Sequence, residues 1–240
     1  MSLTLAASGP SVYWYLTRST GAVALLLLTL AIALGVLDVG RWSTPRWPRF
    51  VVDSLHRNVS LLAMVFLILH VVTSVLDSFA PISLIDAFVP FTGTYRPFWL
   101  GLGAVSFDLL LAVTVTSLLR RRMGYGTWRA VHWLTYASWP VALLHGFGTG
   151  SDVKSGWLLV LSIGCLAIVA AAVMARVLRG WPANLGRRGA AIGGAAAFSL
   201  FVALWLPSGP LGSEWARRSG TPASLLSPRH TSTASSGSRP

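Results

Sequence analysis

The sequence predicts an all-α membrane protein: a polytopic bundle of six transmembrane helices with the N- and C-termini outside. Three observations carry that prediction. Of the 240 residues, 54% are hydrophobic and only 11% are charged, and the mean hydropathy is +0.65; soluble domains carry about 25% charged residues. Six apolar stretches each approach the ~20 residues that a helix needs to cross ~30 Å of hydrocarbon. The arginines gather in alternate gaps between those stretches, as they do at the cytoplasmic ends of membrane helices. A cytosolic enzyme and a disordered chain are excluded by this composition. A disulfide scaffold is excluded by the single cysteine, Cys165. The formal net charge of +12 is spread along the ends of apolar segments. A basic face for nucleic acid is not expected.

The first span is expected over about Tyr13 to Leu37, where AVALLLLTLAIALGVL follows Arg18. Its length and the lack of a small-residue cleavage site argue against a cleaved signal peptide. The second runs from about Val52 to Leu76, the third from about Phe98 to Leu119, and the fourth, the least apolar, from about Thr127 to Phe147. The fifth covers about Gly156 to Val177 and the sixth about Ala190 to Leu206. Helices follow from the need to satisfy every backbone polar group within lipid. Trp14, Trp42, Trp47, Trp99, Trp128, Trp157 and Trp181 lie near span ends, as an interfacial aromatic belt requires. Residues 1–207 are read as one membrane domain. Residues 208–240, rich in Ser, Pro and Arg, are read as a disordered tail.

Orientation follows from the loops. Arg41, Arg46 and Arg49 lie between spans one and two, Arg120, Arg121, Arg122 and Arg129 between three and four, and Arg176, Arg179, Arg187 and Arg188 between five and six. The opposite side holds Arg18, Arg96 and Lys154. The positive-inside rule places the arginine-rich loops in the cytoplasm.

Four of the five histidines fall in two spans: His56 and His70 in the second, His132 and His145 in the fourth; His230 lies in the tail. Ionisable groups inside a membrane are functional candidates by default. His56 and His70 are separated by about 21 Å of helix and lie within about 40° of one face. His132 and His145 are about 19.5 Å apart along the axis. The two spans run in the same direction, so His56 shares a depth with His132, and His70 with His145. A single four-histidine metal site is excluded by distance. Two facing pairs suit two metal centres stacked across the bilayer, each ligated from both sides as a haem iron is. One feature resists: thirteen residues of ideal helix rotate His145 about 140° from the face of His132. Pro140 between them is expected to kink or rewind the helix. The alternative is four polar residues joining helices.

HRNVSLLAMVFLILHVVTSVLD and WRAVHWLTYASWPVALLHGFGTGSD resemble the two haem-binding helices of the ferric reductase-like transmembrane superfamily. That superfamily includes ferric reductases, NADPH oxidases and the bacterial haem subunit of a periplasmic methionine sulfoxide reductase. The resemblance covers about Tyr13 to Val177 and is nearest to stand-alone bacterial members. It implies two non-covalent b-type haems, with His56 and His132, and His70 and His145, as axial ligands to the haem iron. It implies an oxidoreductase component of electron transport in the bacterial plasma membrane. Electrons would pass from a cytoplasmic-side donor, a flavin reductase or a membrane quinol that brings its own flavin or quinone. They would reach an outer-side acceptor, a redox protein or a ferric chelate. No C-x-x-C-H motif for covalent haem occurs. No dinucleotide or flavin domain is expected after the helices.

Beside that resemblance, Arg57 suits a haem propionate or Asp53 one turn earlier. Arg18 suits the outer haem's propionates or a solvated interface. Asp108, near the middle of span three, is expensive in lipid unless paired, protonated or part of a proton route. Trp133 and Trp139 pack on porphyrin or on neighbouring helices, and Cys165 on the core. No residue is expected to be catalytic. Two rivals stand: a transporter or channel using the intramembrane His and Asp residues, and a haem-binding anchor without turnover.

Overall fold

A computed structural model describes residues 11–39, 48–178 and 185–226. Arg41, Trp42, Arg46, Trp47, Arg179, Trp181 and His230 lie outside the described residues, as do the side chains of Arg49 and Arg187. Every regular element described is helical: α1 (Val12–Val39), α2 (Arg49–Leu76), α3 (Leu84–Phe88), α4 (Pro97–Leu118), α5 (Tyr125–His132), α6 (Thr135–Thr149), α7 (Gly156–Leu178), α8 (Leu185–Ser208), α9 (Trp215–Arg218) and α10 (Ala223–Leu226), with a 3₁₀ turn over Ser151–Lys154.

Five helices, α1, α2, α4, α7 and α8, are long and apolar enough to cross a membrane. At most a third of each of their most apolar stretches is buried. The faces left outward, with Val65, Leu69, Val160 and Leu204 exposed, have the chemistry of lipid contact rather than of a water-facing surface. Hydroxyls inside these helices bond back to carbonyls of their own turn. Thr29 Oγ1 donates to Leu25 O at 2.8 Å and Thr116 Oγ1 to Ala112 O at 2.7 Å, which satisfies them without water.

The fourth expected span differs from its prediction. It is two pieces, α5 and α6, parted at Trp133–Leu134. Leu134 N–H donates to Val131 O, Tyr136 N–H to Trp133 O and Ala137 N–H to Leu134 O. These are i→i−3 bonds, which tighten the winding. Pro140 lies inside the continuous α6, so the rewinding occurs upstream of the proline rather than at it. Overwinding adds rotation per residue, and it turns His145 toward the side it shares with His70.

α1 and α2 pair antiparallel, α4 packs on α6, and α1 also meets α6 and α7. Ser11 ties one end: its Oγ accepts from Trp14 N–H at 3.0 Å and donates to Asp77 Oδ1 at 2.8 Å, joining the start of α1 to the end of α2. A core of Ile32, Val36, Trp139, Leu143, Phe147 and Cys165 fills the space among α1, α6 and α7. Trp139 is one of the residues that decide this packing. Its Nε1–H donates to the fully buried Thr29 Oγ1 at 2.9 Å, so it serves helix packing. Trp133 is exposed and stands by Tyr136.

Between α2 and α4 the chain forms a cap containing α3. The buried Asp86 accepts from Ser83 N–H and Ser83 Oγ, both at 2.8 Å, and from Thr92 Oγ1 at 3.0 Å. Burial pushes this carboxyl up, but hydrogen bonds from Ser83 and Thr92 outweigh it and hold Asp86 below its ordinary value of 3.8. A depressed carboxyl adds stability above its unfolded value and loses it as pH falls through the folded one. Asp86→Asn should therefore speed proteolysis of the cap at neutral pH. The difference from wild type should shrink as pH falls below 3.8 and vanish only below the depressed folded value, measured as cleavage rate between residues 79 and 95. An unchanged rate at neutral pH would show that the carboxylate does not hold the cap.

The tail reading also needs correction. Residues 208–226 are not without order: they form α9 and α10 and fold back over one end of the bundle. Thr221 Oγ1 accepts from Arg96 Nε at 2.9 Å and Trp215 rests against Trp99. Scarce apolar periodicity concealed this, because aromatic and polar anchors do the holding. Residues 227–240 lie outside the described residues.

Candidate functional site

The four membrane histidines form two pairs. His56 and His132 have ring centres 6.3 Å apart and planes at 71°; His70 and His145 have ring centres 6.3 Å apart and planes at 80°. All four histidines are half-buried, and the His70–His145 pair lines a cavity. The repetition of one separation at two levels is what the 14- and 13-residue spacings had suggested.

The rings are aimed by backbone. His56 Nδ1 bonds Ala31 O at 2.9 Å, His70 Nδ1 bonds Thr17 O at 2.8 Å and His145 Nδ1 bonds Trp99 O at 2.9 Å. A carbonyl only accepts, so each Nδ1 carries the proton and each Nε2 keeps its lone pair for a metal. His132 is held differently: its Nδ1 lies 3.5 Å from Ser117 Oγ, which also accepts from Trp128 Nε1–H at 3.3 Å.

Glycines admit the rings. A Cβ on Gly21 would lie 2.9 Å from His70 Nδ1, one on Gly35 3.2 Å from His56 Cε1, and one on Gly103 2.5 Å from His145 Nδ1 and Cε1. Gly21 and Gly35 are fourteen residues apart on α1, the same interval as His56 and His70 on α2. The carbonyl acceptors Thr17 and Ala31 repeat that interval. An antiparallel pair with equal spacing on both helices brings glycine, carbonyl and imidazole together twice. Sequence reasoning missed these glycines, although the matched fourteen-residue interval was present to be read.

Do these residues fit a haem? A metal–imidazole bond near 2 Å on each side, with ~1 Å more to each ring centre, sets ring centres about 6 Å apart, as both pairs are. The 70/145 pair opens into a cavity walled by Leu25, Leu28, Leu67 and Phe107. Arg18 lines the same cavity, with its guanidinium 3.3 Å from the centre of the Trp14 ring. Thr17 Oγ1, also at the cavity wall, is buried and has no hydrogen-bond partner. An apolar slot with two inward imidazoles, a cation and a spare hydroxyl has the character of a site for a flat, anionic-edged metal chelate. The donor set fits.

The other expected residues separate. Arg57 and Asp53 are both exposed, and no ion pair joins them. Asp108 is half-buried on α4 and faces neither histidine pair through a hydrogen bond. Cys165 is buried in the core. Trp99 is no free interfacial anchor; it stacks on Trp205 with ring centres 5.0 Å apart.

The profile of the ferric reductase like transmembrane component matches residues 20–143. The chain belongs to that family. The matched stretch takes in Gly21, Gly35, His56, His70, Gly103 and His132, and stops two residues before His145. This is a membrane protein of a redox family, a transmembrane electron-transfer component with redox partners. Domains of the family commonly bind haem. No curated protein and no solved structure matches the chain significantly.

Proposed function

We propose that this chain is a transmembrane dihaem b-type cytochrome that passes single electrons from a cytoplasmic-side donor to an outer-side acceptor. The observation that carries this reading is the repeated histidine pair: the same 6.3 Å separation at two levels, with three of four imidazoles turned by backbone carbonyls. His56 and His132 would hold the inner haem, and His70 and His145 the outer one. When bound, these haems supply reversible one-electron transfer. The chain's own part is to bind, orient and dry the site. Each Nδ1–H···O=C bond fixes a ring and raises the basicity of its Nε2. Apolar walls exclude water and lower the local dielectric. Arg18 neutralises an acidic edge at the outer cavity, and Arg57 does so near His56.

The haem-binding unit is residues 1–207. α5 and α6 together make the sixth crossing, and both chain ends lie outside. The arginine-rich turns then face the cytoplasm of a bacterial cell, where a flavin reductase or a membrane quinol meets the inner centre. Impermeant labelling of single cysteines at Arg121 and Lys154, on a Cys165-free background, should mark only the latter in intact cells.

The deciding experiment counts haem in purified protein and then follows its reduction in proteoliposomes with a ferric chelate on the outer side. Two low-spin haems per chain are expected. Flavin reductase with nicotinamide, or quinol, should drive chelate reduction. Nicotinamide alone should not, because a dinucleotide-binding βαβ unit needs about thirty residues, more than the turns between the helices provide. Colourless, haem-free protein from haem-replete cells would overturn the reading.

A further inference from the structure

Arg96 is the most deeply buried guanidinium described, 4% exposed. Its backbone is left-handed, at φ 43°. Among the described side chains it is answered by carbonyls and a hydroxyl: Nη1 donates to Gly148 O at 2.9 Å and Thr149 O at 3.0 Å, and Nε to Thr221 Oγ1 at 2.9 Å. Burying a charge is expensive unless it is hydrogen-bonded, so its location carries information. The two carbonyls close α6 one turn past His145. One turn into α4, Trp99 O holds the His145 Nδ1–H at 2.9 Å. Thr149 Oγ1 bonds His145 O at 2.7 Å. Arg96 thus joins the two backbone segments that aim His145.

The C-terminal segment locks this joint. Arg96 N–H donates to Gly220 O at 3.0 Å and Trp215 Nε1–H to Gly148 O at 3.2 Å. The Trp99 ring lies so close over Gly148 that a Cβ there would overlap it. Trp205 and Trp215 close around Trp99 at 5.0 Å and 5.3 Å.

We propose that residues 209–226 form a strap that, through Arg96, positions His145 and sets a buried positive charge beside the outer redox centre. This rests on the dihaem reading for the centre, but the strap's hold on His145 does not. A buried positive charge favours the reduced state of a nearby iron. The arginines by the inner pair, Arg57 after His56, Arg129 one turn before His132 and Arg120 over the Trp128 ring, are all exposed, and solvent screens them. Electrons are therefore drawn outward by a residue that ligates nothing; Arg96 is a positioning residue.

The test uses the full chain with Arg96→Gln and Thr221→Val. Redox titration of Arg96→Gln should move the outer centre toward the oxidised form by tenfold or more, 59 mV for one electron, with the inner centre unchanged. Nitrogen-15 histidine NMR of the reduced protein reads the His145 Nδ1–H whether or not haem is bound. Its exchange with solvent should rise tenfold or more in both variants. Thr221→Val keeps the charge and the two carbonyl bonds, so it reports even where Arg96→Gln fails to fold. Unchanged exchange in Thr221→Val would overturn the positioning role, and an unmoved or equally moved pair of potentials in Arg96→Gln would overturn the electrostatic one. Fewer than two haems in wild type would defeat the dihaem reading while the exchange measurement still decides the strap.

Discussion

Gly103→Ala should remove the outer haem and spare the inner one, so that haem per chain falls from two towards one. The reason is local. The added Cβ would stand 2.5 Å from His145 Nδ1 and Cε1, closer than carbon atoms tolerate, and the imidazole is pinned behind by Trp99 O at 2.9 Å. The ring must then swing off its carbonyl or α4 must withdraw. Either change spoils a two-sided metal site whose tolerance is a few tenths of an ångström. Gly164→Ala on α7, where an added Cβ meets nothing within 4 Å, is the control and should keep both haems. Measurement is by absorption spectrum and haem extraction per purified chain. Full haem content in Gly103→Ala, with its outer potential unmoved, would mean that His145 does not ligate as oriented.

The second large effect concerns the inner pair. His56→Ala and His132→Ala should each halve haem content and reduce trans-bilayer electron transfer to background. His70→Ala and His145→Ala should halve haem content but leave the inner centre reducible from the cytoplasmic side. The order follows from depth, because the two pairs are separated by about 20 Å of helix. Stopped-flow haem reduction in proteoliposomes separates the cases. Donor-driven reduction of the outer centre that survives loss of both His56 and His132 would show that the inner pair is not an obligatory relay. Equal, complete haem content in all four variants would overturn the ligand assignment.

Much of this was legible in the residues because a membrane simplifies the reading. Lipid makes long apolar runs, flanking arginines and intramembrane histidines stand out, so five spans and both histidine pairs are evident before any coordinates. Periodicity is weaker where polar and aromatic residues mix. Thr127 to Phe147 reads as one span but is two helices, since i→i−3 bonding around Trp133 and Leu134 depends on how α6 packs against α4 and α1. Pro140 drew attention to itself while the winding changed elsewhere.

Sequence alone determined the solvent of this protein, its helical class, its family and the four histidines, because each depends on composition or on spacing along one helix. Tertiary structure decided which carbonyl turns each ring, which glycines let the rings in, and that residues 208–226 fold onto the bundle. Those depend on juxtaposition across helices: Gly103 meets His145 across forty-two positions, and Arg96 meets Thr221 across 125. Local pattern cannot encode such a meeting. The helices, once packed, create it, and a buried guanidinium that would be prohibitive alone is satisfied only when α4, α6 and the C-terminal strap arrive at the same place.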